Sequence, residues 1–358
     1  MEKTLVMILV ALWGIQFAKA AAPAMIVFGD SLVDQGNNNY LLTVARCDYK
    51  PYGVDFPQGA TGRFSNGRLI SDFISEMMGT EPIEAWLSPQ MRGDNLLRGV
   101  NFGSAGCGIL DDTGSLFISR LTIPRQLQMF SQYQNSLRAL IGEPATAELI
   151  RNAIYNVNAG GNDWVNNYLL PTSNQWKAYT PSQYIQILIS TYKQHLKSLY
   201  TLGARKIVVS SLGPIGCAPS MLNRFNSPAG QCVSNLQQYA MTFNGALKIM
   251  LNQLTQQLPG SIFVYSNGFD MLMDYITNPK AYGFEVVDQG CCGQGQYKGF
   301  LTCVQLSSYC ENREKYVFWD AYHLTELANK LLAKRIFYGP TSDISPMNVN
   351  QLMSISIK

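Results

Sequence analysis

Apolar and polar positions follow two different periods along this chain. Five short apolar runs rich in β-forming residues occupy positions 24–28, 99–102, 153–157, 206–210 and 261–265. Between and after them, apolar residues recur at helical spacing over 69–77, 122–141, 181–202, 234–256 and 324–337. Strands that alternate with helices form a parallel sheet covered on both faces and joined by right-handed crossovers. The pattern predicts an α/β fold around a five-stranded parallel sheet.

The first twenty residues have the pattern of a secretory signal. Lys3 precedes an apolar stretch over 5–17, and Ala18-Lys19-Ala20 has the small-x-small form of a cleavage site. The stretch is too short and too near the terminus for a comfortable membrane span, although an uncleaved anchor is the alternative. We therefore expect a signal peptide over residues 1–20, one domain over residues 21–358, and no integral membrane span in the mature chain.

Charge gives little indication of a macromolecular partner. The formal balance of the full chain is +3, and removing residues 1–20 would change it to +2. A balance this small does not indicate binding to nucleic acid or to an anionic membrane. The sequence leaves the oligomeric state open.

All eight cysteines lie beyond the expected cleavage point, and an even number in a chain bound for an oxidising compartment favours disulfides over a metal cluster. We predict a bridge between Cys217 and Cys232 because they are close in sequence. Two further local bridges are expected among Cys291, Cys292, Cys303 and Cys310. No pairing is predicted for Cys47 or Cys107.

The first predicted strand ends in a turn that carries a candidate nucleophile. Gly29-Asp30-Ser31-Leu32 follows the apolar run 24–28 directly, which places Ser31 at the carboxyl edge of the sheet. Ligands of open α/β sheets collect at that edge. A serine hydroxyl is a weak nucleophile by itself, so catalysis at Ser31 requires a base, a group that orients the base, and donors for an oxyanion.

The chain offers only two histidines as the base. His195 lies inside the helical pattern over 181–202, far from any strand end, and we expect it to have a structural role. His323 comes just before the last helical pattern, with Asp320 three residues earlier. A turn at that spacing can bring the Asp320 carboxylate onto Nδ1 of His323 and leave Nε2 to accept the Ser31 proton. An Asp-x-x-His sequence at a helix start without a catalytic role is the alternative.

Candidate oxyanion donors follow the second and third predicted strands. Gly103-Ser104-Ala105-Gly106 comes after the second strand, and Gly160-Gly161-Asn162-Asp163 comes soon after the third. Because the turns after parallel strands open on one edge, we expect Ser31, Gly106 and Asn162 to converge. Glycines let a backbone N–H approach a ligand closely.

Two competing motifs are absent from the sequence. No serine has glycine at both offsets of Gly-x-Ser-x-Gly, which the usual α/β-hydrolase turn requires. No Gly-x-x-x-x-Gly-Lys-Ser/Thr occurs, and the glycine turns do not complete a dinucleotide fingerprint. Arg63, in a loop dense in turn formers, is expected to stabilise its own loop rather than to contact a substrate.

Taken together, these residues resemble the plant GDSL-type esterases and lipases of the SGNH hydrolase superfamily, over nearly the whole mature chain. Four ordered blocks carry the resemblance: residues 28–34 with Gly36-Asn37-Asn38, residues 99–102 with Gly106, Gly160-Gly161-Asn162-Asp163, and residues 318–323. Residues 61–67 and 212–217 are similar to the family as well. The sequence departs from the family pattern at Gln35, Gly103 and Leu324, where Asn, Ala and Pro are common.

The resemblance implies a role for each candidate residue. Ser31 is implied as the nucleophile, His323 as the base and Asp320 as the group that orients it. The backbone N–H groups of Ser31 and Gly106 and the side chain of Asn162 are implied as the oxyanion hole. The implied fold is a three-layer α/β/α sandwich around a five-stranded parallel sheet of the flavodoxin-like kind.

The implied reaction is hydrolysis of carboxylic esters through an acyl-enzyme, without a cofactor or a metal. The expected substrates are small-molecule or polymer-linked acyl esters, and the expected location is extracellular, in the apoplast or cell wall. Two alternatives stay open at this point. An acyltransferase would use the same acyl-enzyme, and a secreted binding protein would keep the fold without the chemistry.

Overall fold

The central sheet of the computed structural model, which describes residues 22–357, contains all five predicted strands. They are β1 (Met25–Gly29), β2 (Gly99–Asn101), β3 (Ile154–Asn158), β4 (Lys206–Ser210) and β5 (Ile262–Ser266). The spatial order is β2-β1-β3-β4-β5, and all four pairings are parallel. This order is that of flavodoxin-like sheets, so the α/β prediction is confirmed.

Helices cover both faces of this sheet. They are α1 (Ile70–Met78), α2 (Asn95–Arg98), α3 (Ile123–Ile141), α4 (Glu143–Asn152), α5 (Gly161–Asp163), α6 (Gln175–Ala178), α7 (Pro181–Thr201), α8 (Pro219–Arg224), α9 (Ser234–Gln257), α10 (Gly268–Thr277), α11 (Glu326–Tyr338) and α12 (Val349–Met353). The five helical patterns read from the sequence correspond to α1, α3, α7, α9 and α11. No helix in this part of the chain is both long enough and apolar enough to cross a membrane.

Successive side chains of the strands point to opposite faces, which divides the core into two layers. Ile26 and Phe28 of β1 pack with α3, α7 and α9 on one face. Met25 and Val27 pack with α1, α10, α11 and α12 on the other. Strands buried on both faces have near-continuous apolar sequences, which explains the short runs seen in the sequence.

Three further strands of the structure were not predicted. A short strand, β8 (Ile344–Ser345), adds to β5 as an antiparallel edge strand. A separate two-stranded sheet forms from β6 (Val286–Gly290) and β7 (Tyr316–Phe318). The strands of this small sheet are only half-buried or very short, so they lack the apolar runs by which the five central strands were found.

The register of the sheet places the predicted turns at one edge. Gly29, the last residue of β1, pairs with Asn158, the last residue of β3. The two chains are so close there that a Cβ on Gly29 would lie 2.0 Å from the Asn158 carbonyl oxygen, and Gly29 has a φ of +142°. Only glycine fits this position, and Ser31 lies two residues further along the chain, after Asp30.

Three disulfides stabilise the loops, and each is local in sequence. The bridge between Cys217 and Cys232 is present as predicted. The other four predicted cysteines form the bridges Cys291–Cys310 and Cys292–Cys303. Cys47 and Cys107 are buried free thiols. The expected signal peptide, residues 1–20, lies outside the described residues, and the division of the chain into a leader and one domain stays a prediction.

Candidate active site

Ser31 and His323 lie in direct contact although 292 residues separate them in sequence. Nε2 of His323 is 2.8 Å from Oγ of Ser31, a normal hydrogen-bond distance. The imidazole also packs against the ring of Phe64, with the ring centroids 4.9 Å apart. Ser31 is half-buried and His323 is buried. In this arrangement Nε2 can accept the hydroxyl proton of Ser31.

Asp320 contacts the other side of the same imidazole. Its two carboxylate oxygens lie 2.9 and 2.8 Å from Nδ1 of His323. The backbone N–H groups of Tyr322 and His323 each donate to Oδ1 at 2.8 Å, and the hydroxyl of Tyr52 donates to Oδ2 at 2.6 Å. The carboxylate is therefore fixed in position by donors on two separate loops.

These contacts keep Asp320 ionised in a fully buried position. Burial by itself would raise the pKa of Asp320, because it removes water from the charged form. The charge of His323 and the hydrogen bonds from His323 and Tyr52 outweigh burial and lower the pKa below its ordinary value. An ionised Asp320 stabilises an imidazolium at His323 and fixes Nδ1 as the protonated ring nitrogen.

Two unpaired backbone donors line the same cavity as the Ser31 hydroxyl. Within residues 22–357, the N–H groups of Ser31 and Gly106 have no hydrogen-bond partner. Gly106 has a φ of +85°, and a Cβ there would lie 2.4 Å from the ring of Phe117. Glycine is therefore required at position 106, both by the backbone conformation and by the close ring.

Asn162 supplies a third donor at the start of α5. Its side chain is buried and lines the cavity that contains Ser31 and Gly106. One N–H of the amide donates to the Cys107 carbonyl at 2.9 Å, and Oδ1 accepts from Asn166 at 2.6 Å. A primary amide has two N–H groups, so one remains for a ligand. The three expected donors thus lie around one space.

The polar stretch after Ser31 fixes the loop that carries Gly106. Asp34 accepts hydrogen bonds from the N–H groups of Gly36, Asn37 and Ala105, the last at 3.1 Å. The Asn38 side chain donates to the Ala105 carbonyl at 3.0 Å. Ala105 is therefore held from both its N–H and its carbonyl, immediately before Gly106.

A second buried carboxylate fixes the loop on the other side of Gly106. Asp163 accepts from the N–H groups of Ile109 and Leu110 at 2.7 and 3.0 Å and from the hydroxyl of Thr113 at 2.7 Å. Burial raises the pKa of Asp163 to about 6, against the lowering effect of these bonds. Asp163 follows Asn162 directly, so it ties the third donor to the loop of the second.

The cavity above these groups has a volume of about 490 Å³, within the range of small-molecule sites. Its wall is largely apolar and includes Leu212, Ile215 and Leu324. The Ser31 hydroxyl, the imidazole of His323 and the amide of Asn162 are polar groups in this wall. Across residues 22–357, no three or more His, Cys, Asp or Glu side chains are grouped so that they could hold a metal ion.

The structure defines the contacts of three further residues, which are His195, Arg63 and Leu324. Nε2 of His195 lies 3.0 Å from the Ile109 carbonyl, so this histidine contacts the loop that follows Gly106 and not Ser31. Arg63 forms two hydrogen bonds to Asp72, as expected for an arginine that stabilises its own loop. The Leu324 carbonyl accepts from Ser65 at 3.0 Å, so contacts other than a proline ring fix the residue after His323.

The sequence did not reveal the supporting roles of Tyr52, Asp34 and Asp163. Tyr52 is separated by 268 residues from the carboxylate that it contacts, and no local pattern marks it. Asp34 and Asn38 looked like parts of a polar turn, yet they are fully buried. The available signal was their place in the first of the sequence blocks that resemble a known family.

This chain is similar to one protein family and to several known proteins over most of its length. The family description "GDSL-like Lipase/Acylhydrolase" matches residues 25–336. Three GDSL esterase/lipases of Arabidopsis thaliana are 45%, 46% and 45% identical to this chain, cover 94%, 93% and 92% of it, and are themselves covered over 92%, 92% and 90%. A carbohydrate esterase of known structure aligns at 12% identity over 70% of this chain and 61% of its own, and its TM-score of 0.32 is too low to carry an argument.

Proposed function

Since this chain belongs to the GDSL-like lipase/acylhydrolase family and is a carboxylic ester hydrolase, we propose that it cleaves acyl esters through a covalent intermediate on Ser31. The observation that carries the proposal is the 2.8 Å contact between Ser31 Oγ and His323 Nε2, with Asp320 on the opposite side of the imidazole. A hydroxyl, a base and an orienting carboxylate in this sequence of contacts form the arrangement of a serine hydrolase.

In the first half of the reaction, Ser31 attacks the carbonyl carbon of the ester. His323 Nε2 takes the hydroxyl proton as the Oγ–C bond forms, and Asp320 stabilises the resulting imidazolium. The carbonyl oxygen becomes negative and accepts hydrogen bonds from the N–H groups of Ser31 and Gly106 and from the Asn162 amide. The C–O bond to the alcohol then breaks, and His323 returns the proton to the leaving oxygen.

The second half repeats these steps with water as the nucleophile. His323 takes a proton from water, and the hydroxide attacks the acyl carbon on Ser31. The oxyanion again forms near Gly106 and Asn162. When the Oγ–C bond breaks, His323 returns the proton to Ser31 and a free carboxylic acid leaves. An alcohol in place of water would give acyl transfer by the same route.

The walls of the cavity favour an apolar acyl group. Leu212, Ile215 and Leu324 are among the side chains that line it, and burial of a hydrocarbon chain against such walls is favourable in proportion to the area covered. We therefore assign lipid-type or cell-wall acyl esters as the substrate class. Three disulfides fit an extracellular protein, and secretion to the apoplast or cell wall is part of the proposal.

The proposal is tested by the hydrolysis of soluble 4-nitrophenyl esters of graded acyl length. The wild-type protein should hydrolyse them, whereas Ser31→Ala should lose about 10⁵-fold or more in kcat, as loss of a triad nucleophile does. Ser75→Ala, which removes a buried hydroxyl on α1 that donates to the Ser71 carbonyl, is the matched control. It should keep the wild-type rate. Near-normal turnover by Ser31→Ala would overturn the proposal.

The same assay separates hydrolysis from acyl transfer. Short alcohols are added as competing acceptors, and the ratio of ester product to free acid is measured. Free acid as the main product at low alcohol concentration supports the hydrolase. An ester product that dominates even when water is in large excess would instead assign the chain as an acyltransferase on the same acyl-enzyme.

A further inference from the structure

The most exposed large apolar side chains of the described residues are concentrated in one place. Leu306, Leu42, Phe300, Val44 and Ile118 are the five most exposed, between 64% and 95%. They lie on three loop segments, residues 42–44, 116–118 and 300–306. We call these three segments the apolar rim. Contiguous exposed apolar surface on a soluble protein marks an interaction site more often than isolated residues do.

Hydrogen bonds join two segments of the apolar rim to each other, and the third segment to Tyr49, which lines the candidate site. The N–H of Val44 and the hydroxyl of Thr43 both donate to the Phe117 carbonyl, at 3.4 and 2.8 Å. The Tyr49 hydroxyl donates to the Cys303 carbonyl at 3.3 Å. Val44, Leu116 and Phe300 also line the cavity that contains Ser31 and His323. The apolar rim is therefore continuous with the wall of the candidate active site.

Two of these exposed side chains belong to residues with an energetically unfavourable backbone conformation. Ile118 has a φ of +75° and Leu306 has a φ of +67°. Positive φ is uncommon outside glycine and is an outlier for a β-branched residue such as isoleucine. A glycine or asparagine would be ordinary at both positions. Instead each position holds a large apolar side chain outward, on opposite segments of the apolar rim.

The apolar rim carries no charge. Residues 40–45, 114–119 and 299–309 contain no Asp, Glu, Lys or Arg. The cations that border these segments are bound within the protein. Arg46 is ion-paired with Asp48, and Arg120 and Lys298 donate to backbone carbonyls. Binding to an anionic membrane relies on clusters of Lys and Arg, which these segments lack. The surface thus matches an uncharged apolar phase.

We propose that the apolar rim docks the protein onto the surface of an aggregated neutral acyl ester, so that an ester group enters the cavity at Ser31. This inference rests on the proposed function and deepens it, because it assigns water-insoluble neutral esters as the substrate class. Docking would bury the five exposed side chains in the ester phase and bring the cavity mouth against the phase boundary.

The test compares dissolved and aggregated substrate with the same variants. Leu42→Ser, Ile118→Ser and Leu306→Ser are combined, because none of these residues lines the cavity. Ile249→Ser is the control, since Ile249 is 62% exposed on α9 away from the apolar rim. The substrates are dissolved 4-nitrophenyl butyrate and a tributyrin emulsion.

The triple variant should hydrolyse the dissolved ester within about two-fold of the wild-type rate and the emulsion about ten-fold or more slowly, by loss of apolar contact. Ile249→Ser should match the wild type on both. An unchanged rate on the emulsion for the triple variant would overturn the inference. Leu306→Ser alone, at the most exposed position, gives a second measurement with the least effect on folding.

A binding measurement without turnover tests the docking of the apolar rim independently of the proposed chemistry. Ser31→Ala is mixed with triolein droplets and, separately, with vesicles of phosphatidylcholine and phosphatidylserine, and the bound fraction is measured by flotation. Binding to the droplets that falls when the three rim substitutions are added supports the inference. Stronger binding to the anionic vesicles, or droplet binding unaffected by the substitutions, contradicts it. A wild-type protein inactive on every dissolved ester would refute the proposed function alone.

Discussion

The two halves of the candidate site place their reactive atoms in different ways. In the triad half, formed by Ser31, Asp320 and His323, the reactive atoms belong to side chains that contact one another at 2.8 to 2.9 Å. In the oxyanion half, formed by Gly106 and Asn162 with the Ser31 N–H, two of the three donors are backbone groups. In the oxyanion half, the surrounding side chains fix the backbone that carries these donors.

The buried carboxylates of the two halves also differ, in their partners and in the direction of their pKa shifts. Asp320 has a charge partner, and the pKa of Asp320 is lowered although burial alone would raise it. Asp163 accepts only from N–H and O–H groups, and burial raises the pKa of Asp163 to about 6. From this difference we expect substitution in the triad half to remove chemistry directly, and substitution of a supporting residue in the oxyanion half to loosen a loop.

The largest effect after loss of the nucleophile is expected for Asp320→Asn. An asparagine keeps the size of the side chain, but it cannot stabilise an imidazolium and it favours the wrong tautomer of His323. We expect kcat to fall by about 10⁴-fold with little change in KM. Steady-state kinetics on a dissolved ester measure the change, with circular dichroism to verify the fold. A loss below ten-fold would mean that Asp320 is not part of the catalytic group.

The next effect in size concerns the oxyanion half. Asn162→Ala removes a donor whose hydrogen bond strengthens as charge develops on the substrate oxygen, so it should lower kcat by about 10²–10³-fold and leave KM nearly unchanged. Asn329→Ala is the control, because Asn329 is also buried and its amide donates to the Arg68 carbonyl. That control should lose stability and keep kcat. A destabilised but fully active Asn162→Ala would remove Asn162 from the oxyanion hole.

A smaller effect is expected when only the support of the triad is weakened. Tyr52→Phe removes the hydroxyl that donates to Asp320 and keeps the buried ring. Hydrogen bonds to charged groups contribute about 1.5–3 kcal/mol, so kcat should fall about ten-fold or somewhat more at constant KM. Because the Tyr52 hydrogen bond helps to hold the pKa of Asp320 below its ordinary value, its loss should raise that pKa, and the part of the activity that depends on an ionised Asp320 should be lost at higher pH.

Tyr133→Phe is the control for this substitution. It removes a hydroxyl that donates at 2.6 Å to the Leu96 carbonyl, in the core and outside the cavity wall. It should lower the melting temperature without moving the pH profile. Equal pH profiles for Tyr52→Phe and the wild type would show that Tyr52 only fills space beside the triad.

The last prediction concerns the pH dependence of stability and not turnover. The folded-state pKa of Asp163 is raised from 3.8 to about 6, so its contribution to the free energy of unfolding is full below about pH 4 and is lost as pH rises through about 6. Asp163→Asn removes this dependence. Its destabilisation relative to the wild type should therefore be larger at pH 4 than at pH 7, by up to about 3 kcal/mol.

Asp55→Asn should show the opposite sign. Hydrogen bonds from Arg313 lower the pKa of Asp55 in the folded state, so its contribution is present above about pH 4 and is lost as pH falls. Urea unfolding at both pH values measures the two variants. Destabilisation by Asp163→Asn that grows from pH 4 to pH 7 would contradict the raised pKa of Asp163.

The sequence predicted the candidate site best where the reactive residues belong to a recognisable local motif. Ser31 follows an apolar strand and a required glycine, and Asp320 and His323 share a single turn. Those features are visible within a few residues of each other. The alternation of strands and helices then indicates a parallel sheet, and because the turns after parallel strands open on one edge, Ser31 and Asn162 were expected to meet there.

The remaining features depend on contacts that sequence periodicity does not encode. The hydroxyl of Tyr52 and the carboxylate of Asp320 meet only after the chain has folded. The β6–β7 sheet and the edge strand β8 are short and lack a clear apolar period, because few of their side chains enter the core. The apolar rim consists of residues from three loops that are distant in sequence, and each loop alone has only two to four exposed large apolar side chains.

The account depends most on a covalent intermediate at Ser31, and rapid-quench mass spectrometry tests this directly. Protein mixed with a 4-nitrophenyl ester and quenched in acid within milliseconds should gain the mass of one acyl group per chain. Peptide mapping should place that group on the peptide containing Ser31, and Ser31→Ala should gain none. An acyl group on a different residue, or normal turnover by Ser31→Ala without any acylated protein, would contradict the account.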